Sequence, residues 1–273
     1  MFRISENSVS EEQVMFPSSS GVDLYGVVYH ARDEEKGAIV ICHPDGDERT
    51  WSHRILVNLA RLLASHGYTV LRFDYMGQGE SEGEYEQGTL STRVNDTRSA
   101  IELLLARTHR TEVGLLGLRL GGTLAALVGT THSAVTHLVL WEPILDLHAH
   151  LYNLLRINIS FQMVMHKTVL KNREQLAEEI LSGGMVSING FYLAKEFFRE
   201  SMETKLEGIF QRANGKRLIV LLPNSSFPAD GDGTVLRLQF PVFWKEPKVY
   251  HSRPKTLMEE TLKWITTNCT ATR

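Results

Sequence analysis

Short apolar segments alternate with amphipathic helical segments over the first half of the chain. Residues 37–42 and 68–73 are rich in β-branched, aromatic or other apolar side chains, as expected of buried strands. Residues 52–66 between them repeat Leu and Ile at helical spacing, and a helix at 91–108 and a strand at 112–116 follow. This alternation predicts parallel strands joined by right-handed helical crossovers.

The alternation is interrupted at residues 143–212, where the pattern predicts several helices, including one at 191–198, and no strand. It resumes with two strands and a closing helix, at residues 216–222, 248–250 and 254–267. We therefore predict one α/β core formed by residues 1–142 and 213–273. The helical insertion at 143–212 would cover the carboxyl edge of the sheet as a lid, where ligands bind in such folds.

Composition and charge narrow the class of protein. The net charge is −3, with 29 Lys and Arg against 32 Asp and Glu, so there is no basic field for nucleic acid or an anionic membrane. The polar N-terminus predicts no signal peptide, and no apolar run approaches the roughly 18 residues that span a bilayer. With only Cys42 and Cys269, we expect reduced thiols and a cytoplasmic protein. The sequence indicates no cofactor or metal and does not define the oligomeric state.

A glycine-rich turn follows the predicted strand at 112–116 and opens a helix of small residues. Its sequence is Gly-Leu-Arg-Leu-Gly at residues 117–121. Glycines at both ends allow a sharp turn that exposes the middle side chain, Arg119, at the helix N-terminus. Two more loops follow predicted strands, His-Pro-Asp-Gly at 43–46 and Asp-Tyr-Met-Gly-Gln-Gly-Glu-Ser at 74–81.

In this order, the three motifs resemble the oxyanion loop, the D-x-x-G-x-G-x-S loop and the nucleophile elbow of the α/β-hydrolase superfamily. Within it, the chain is similar to serine-aminopeptidase-like hydrolases. More narrowly, residues 117–121, 138–143 and 243–244 resemble the exosortase A system-associated hydrolase-like proteins. The resemblance implies an α/β-hydrolase fold: a mostly parallel sheet of about eight strands, flanked by helices, with a helical lid.

The resemblance also implies a serine nucleophile at the position of Arg119. Arginine cannot take that role, because its guanidinium stays protonated and offers no lone pair.

Cys42, Ser52 and Ser81 are the residues that we considered as substitute nucleophiles. Each is more typical of a structural residue: a buried strand residue, a helix N-cap or first-turn residue, and a residue of the site's rim.

The family's histidine base would be His251, which lies between the last predicted strand and the last helix. The acid is open: Asp230 and Asp232 follow the strand at 216–222, and Glu142 and Asp146 follow the strand at 136–141. Each of these carboxylates is more typical of a solvated or capping residue than of a triad member.

The backbone amides of Leu120 and Asp45 would form the oxyanion hole. Pro44 replaces the usual glycine, but the amide required belongs to the next residue. His43 opens this loop, and we expect it to bind the ligand together with Arg119, Leu120 and Asp45.

Arg119 has two interpretations. It either binds a carboxylate or phosphate of a ligand, or forms an internal ion pair with Glu142 or Asp45 that fills the site.

Three candidate functions follow from these interpretations. The first is a protein that binds a small acyl, carboxylate or other anionic ligand at Arg119 under the lid, with His251-assisted hydrolase or lyase chemistry. The second is a pseudoenzyme that serves as a binding or accessory protein, and the third is a hydrolase with a relocated nucleophile.

Overall fold

A computed structural model describes residues 9–227, 233–245 and 254–269 of the chain. Its strands are β1 (Glu11–Pro17), β2 (Asp23–Tyr29), β3 (Gly37–Cys42), β4 (Tyr68–Phe73), β5 (Val113–Leu118), β6 (Val135–Trp141), β7 (Val186–Ile188), β8 (Phe191–Leu193), β9 (Lys216–Leu221) and β10 (Thr234–Arg237). Its helices are α1 (Gly46–Ala64), α2 (Leu90–Thr108), α3 (Leu120–Gly129), α4 (Leu147–His166), α5 (Arg173–Leu181), α6 (Lys195–Glu203), α7 (Ile209–Arg212) and α8 (Lys255–Asn268), with a 3-10 helix at Tyr85–Gln87.

Within the described residues, eight strands form one sheet in the order β1-β2-β4-β3-β5-β6-β9-β10. β2 pairs antiparallel with both β1 and β4, and every other pair in this sheet is parallel. The predicted mostly parallel sheet of about eight strands is therefore confirmed. Because consecutive parallel strands need crossovers, helices cover both faces, and all six residues of β5 are buried.

The sheet separates two apolar cores, since successive side chains of a strand point to opposite faces. Val40 and Leu115 belong to the core that includes side chains of α2 and α3. Ile39 and Leu116 belong to the other core, which includes side chains of α1 and α8. The carboxyl ends of β3, β5 and β6 lie side by side between these layers, and they carry the loops singled out in the sequence.

Neither of the two edge strands, β1 and β10, was predicted from the sequence. β1 has only Val14 and Phe16 buried, because it pairs on one side and its alternate side chains face solvent. β10 has mostly exposed side chains. The predicted strand at 248–250 lies outside the described residues.

The segment of residues 143–212, called segment 143–212 below, contains a hairpin where no strand was predicted. β7 and β8 pair antiparallel around Asn189 and Gly190, whose φ angles are 50° and 94°. An Asn-Gly pair at positive φ is the usual signal of a two-residue hairpin, so the prediction of a helix at 191–198 was wrong in its first part. The helix there begins at Lys195 instead.

Segment 143–212 contacts the elements that surround the carboxyl edge of the sheet. α4 packs on α5, α6 and β7, while α6 contacts α2. At the tip of the hairpin, Asn189 Nδ2 donates to Asp47 Oδ2 over 2.6 Å, and the Phe191 ring lies 5.4 Å from that of Tyr85. The hairpin therefore lies against the start of α1. No helix in the described parts of the chain is both long and apolar enough to cross a bilayer.

Candidate functional site

Arg119 lies at the sharp turn between β5 and α3, with φ 54° and ψ −120°. A side chain larger than glycine rarely adopts this backbone conformation, and such strain is concentrated at functional sites. A Cβ atom on Gly121 would lie 2.1 Å from the carbonyl oxygen of Cys42, and one on Gly117 would lie 2.3 Å from that of Gly121. Both glycines are therefore required, as the sequence motif predicted.

The same close approach brings the N-terminus of α3 against the beginning of the 43–46 loop. Leu120 is the first residue of α3, and the first N–H groups of a helix have no acceptor within it. Asp45 lies at the N-cap of α1 with an extended backbone. The two residues predicted to supply amide donors thus lie on adjacent segments at the edge of the sheet.

The Arg119 guanidinium forms an ion pair with Glu48. Nε donates to Glu48 Oε1 over 3.1 Å, and Nη1 donates to the carbonyl oxygen of Glu142 over 3.2 Å. Both side chains of the ion pair are about one fifth exposed. The carboxylate on Arg119 thus comes from the first turn of α1, and not from Glu142 or Asp45, the partners considered in the sequence.

Glu48 was not predicted as a site residue, because the predicted start of α1 came too late in the sequence. The helix was predicted to begin at Ser52, whereas it begins at Gly46, which places Glu48 in its first turn. Burial raises the pKa of Glu48, and the nearby Arg119 charge opposes that shift without cancelling it. A carboxyl group with a raised pKa takes up a proton more readily, so the charge balance of the ion pair depends on pH.

The side chain of Asp45 is held away from Arg119 by three other groups. Its Oδ1 accepts from Gln78 Nε2 over 2.8 Å, and its Oδ2 accepts from Tyr85 Oη over 3.1 Å. Arg93 Nη2 lies 3.1 Å from Oδ2, and its side chain is almost fully buried. This network anchors the carboxylate, so Asp45 can meet a ligand through its backbone amide but not through its side chain.

His43 packs inside the protein beneath the same loop. Its ring lies 4.6 Å from that of Tyr75, and its Nδ1 lies 2.6 Å from the Pro44 carbonyl oxygen. The carbonyl can only accept, which places the ring proton on Nδ1. Burial lowers the pKa of His43 to about 3, so the ring is neutral. His43, predicted as a ligand-binding residue, thus has contacts that support the loop.

Glu142 joins the end of β6 to the loop after β9. Its Oε1 accepts from the Leu222 amide over 2.5 Å and from Ser225 Oγ over 2.6 Å. Its backbone has φ 45°, which turns its carbonyl oxygen toward Arg119. The side chain of Glu142, one of the predicted acids, therefore links two loops at the edge of the sheet. Its backbone carbonyl orients the Arg119 guanidinium.

The comparisons with known proteins place this geometry in a family. A family model described as serine aminopeptidase, S33, matches residues 33–210, which is more than half of the chain. The chain belongs to this family. A comparison with curated protein sequences found no significant match.

Solved structures confirm the α/β-hydrolase fold expected of an S33 member. Est1E from Butyrivibrio proteoclasticus, solved with ferulic acid bound, has 14% identity and a TM-score of 0.69, covering 93% of this chain and 99% of its own. The Pyrococcus furiosus esterase Pf2001 has 11% identity and a TM-score of 0.67, covering 98% and 95%. The bottromycin epimerase BotH has 14% identity and a TM-score of 0.56, covering 91% and 99%.

The three residues considered as substitute nucleophiles for an S33 protein are all buried or hydrogen-bonded within the structure. Burial raises the pKa of Cys42 to about 12, so its reactive thiolate is suppressed. Ser52 is fully buried inside α1, beyond its first turn, and donates to the Arg49 carbonyl oxygen. Ser81 Oγ donates to the Asp74 carbonyl oxygen over 2.6 Å.

Of the remaining predicted acids, Asp146 is the one that the structure describes. Asp146 caps α4, with Oδ1 accepting from the Ala149 amide over 2.9 Å. This is the capping role that the sequence analysis set beside the catalytic one. His251, Asp230 and Asp232 lie outside the described residues.

His150, which the sequence analysis did not single out, lies on α4 in the electrostatic environment of the site. Burial and, to a smaller extent, the charge of Arg119 lower its pKa to about 4, while Asp45 opposes the shift. The imidazole is therefore neutral at pH 7. No sequence motif marks it, because it reaches the site from segment 143–212 and not from a strand end of the core.

Proposed function

We propose that this protein is a non-hydrolytic member of the S33 family that binds a small anionic ligand, such as a carboxylate, at Arg119 beneath segment 143–212. The observation that carries the proposal is the guanidinium held at the strained turn between β5 and α3 by Glu48 and the Glu142 carbonyl. In this position an S33 hydrolase requires a nucleophile, which arginine cannot supply. The closer likeness to exosortase A system-associated hydrolase-like proteins belongs to the same proposal.

The geometry of Arg119 favours an anion as the ligand. A guanidinium has five N–H donors, and the described residues use two of them, Nε–H and one on Nη1. The remaining donors suit a carboxylate or phosphate, and the positive end of α3 adds to the attraction. Histidine-assisted hydrolase or lyase chemistry would require His251, which lies outside the described residues. The proposal is therefore restricted to binding.

Two structural neighbours support the choice of probes and a function other than hydrolysis. Est1E was solved with ferulic acid, so ferulate is a reasonable first ligand, alongside acetate, benzoate and inorganic phosphate. BotH is described as an epimerase, an example of this fold in a protein that is not named a hydrolase. Isothermal titration of these four anions is the direct test. Lack of binding by all of them, with the protein folded, would contradict the proposal.

A serine-reactive fluorophosphonate probe is expected to leave the protein unlabelled. The probe reports an activated serine, whereas Ser52 is buried within α1 and Ser81 is hydrogen-bonded in its loop. Intact-mass spectrometry after incubation measures the result, with an active serine esterase as the positive control. Stoichiometric labelling of any serine would support the relocated-nucleophile hypothesis instead.

The affinity for an anion is expected to increase as the pH falls, and Glu48→Gln is expected to remove that dependence. Protonation of Glu48, whose pKa is raised, removes the charge that competes with the ligand for Arg119. Benzenesulfonate is the suitable probe because it stays anionic throughout. We expect wild type to bind it more tightly at about pH 5.5 than at about pH 7.5, and Glu48→Gln to bind it about tenfold more tightly than wild type at the higher pH.

Glu102→Gln on the exposed face of α2 is the matched control, since it removes one exposed carboxylate that has no ion pair among the described residues. It should retain the pH dependence of wild type. The same pH dependence in Glu48→Gln would show that another group controls anion binding.

A further inference from the structure

α4 carries apolar side chains on its buried face and, in its second half, on its exposed face as well. Leu151 and Leu155 are fully buried against the rest of the protein. Phe161, Val164 and Met165 follow the i, i+3, i+4 spacing of one helix face, and they are 56%, 65% and 60% exposed. A surface helix usually carries polar side chains on the face that does not pack, so this face is suited to an apolar environment.

The apolar surface continues into the turn after α4. Met163, Val169 and Leu170 are also exposed, and with the three residues of the helix face they form what we call the 161–170 patch. The buried Gln162 fixes the turn, because its Oε1 accepts from the amides of Leu170 and Lys171 over 2.6 and 2.9 Å. The patch is therefore an ordered feature of the fold.

Exposed basic residues lie within the 161–170 patch and on either side of it along the chain. Residues 147–173 contain no Asp or Glu, although the whole chain has a net charge of −3. The exposed cations of this stretch are Arg156, Lys167, Lys171 and Arg173. Lys171 is paired with Glu179 of α5, while Arg156 and Lys167 have no ion-pair partner among the described residues.

We propose that the 161–170 patch docks on the surface of an anionic lipid bilayer. Exposed apolar side chains enter the boundary between headgroups and acyl chains, and neighbouring lysines and arginines bind the headgroup charges. A second copy of the chain fits less well, because a symmetric contact would place the positive charges of Arg156 and Lys167 on both sides of the same interface. This docking is peripheral and independent of the ligand at Arg119.

Vesicle flotation with the full-length protein tests the proposal. We expect binding to vesicles of phosphatidylcholine with phosphatidylglycerol, weaker binding to phosphatidylcholine alone, and loss of the difference at high salt. The double variant Phe161→Ser/Val164→Ser should lower the bound-to-free ratio more than about tenfold, because two inserted side chains are lost. Lys167→Gln should lower it about fivefold on the anionic vesicles.

Met15→Ser is the matched control, since Met15 is an equally exposed apolar residue on β1, outside the patch. It should bind vesicles as wild type does, and all variants should keep the thermal unfolding midpoint of wild type. Absence of vesicle binding by the folded protein would overturn the proposal, as would equal binding to neutral and anionic vesicles. A dimer in light scattering that Phe161→Ser/Val164→Ser disrupts, without vesicle binding, would assign the patch to a second copy.

Discussion

Arg119→Ala is expected to weaken the binding of ferulate or benzenesulfonate about a hundredfold, because charge-assisted hydrogen bonds to a guanidinium are lost. Arg119 is the residue that the turn between β5 and α3 presents at the site, and it is partly exposed. Isothermal titration measures the loss. Arg119→Lys should give an intermediate affinity, since it keeps the charge but not the planar fork that binds two oxygens.

Removal of Arg119 alone also leaves Glu48 without its ion-pair partner. The double variant Arg119→Ala/Glu48→Gln separates the two effects, because it removes both charges together. It should stay folded and still fail to bind the anion. Wild-type affinity in the double variant would overturn the proposed site, whereas recovery of only part of the affinity would locate a second cation in it.

The sequence predicted the centre of the sheet better than its edges. β3 and β4 have the predicted bounds, because strands buried on both faces are continuous apolar runs. β1 and β10 pair on one side only, so their solvent-facing side chains dilute the signal. The β7–β8 hairpin did have a local signal, its Asn-Gly turn, which the helical pattern around it obscured.

The sharp turn of the candidate site was predictable because it depends on glycine. Gly117 and Gly121 identify the sharp turn, and the turn presents Arg119 whatever the side chain is. The ion-pair partner of Arg119 was not predictable in the same way. Glu48 lies in the first turn of α1, and the sequence marks the start of that helix less clearly than the glycines mark the turn. His150 comes from segment 143–212, and only tertiary packing brings it near Arg119.

The Asp45 network connects segment 143–212 with the loop at residues 43–46. The Arg93 guanidinium, which binds the Asp45 carboxylate, lies 4.3 Å from the centre of the Phe197 ring on α6. Tyr85, another ligand of the same carboxylate, contacts Phe191 on β8. Two aromatic side chains of the segment therefore pack on two of the three groups that hold Asp45, so the loop and the segment are stabilised together.

Arg93→Ala is expected to destabilise the protein by about 3–5 kcal/mol, since it removes one partner from a buried ion pair. Arg107→Ala on the same helix should cost less than about 1 kcal/mol, because ion pairs between exposed side chains contribute little. The Arg93 side chain is 3% exposed beside Asp45, whereas Arg107 is 37% exposed beside Glu12. Urea unfolding at equilibrium gives both free energies.

Equal, small losses in the two variants would show that the Asp45 network contributes no more than a surface ion pair. The same pair of variants also tests the connection to segment 143–212. Because Phe197 packs on Arg93 and has no such contact with Arg107, only Arg93→Ala should increase amide hydrogen exchange in α6. Loss of stability without that increase would confine the effect of Arg93 to the 43–46 loop.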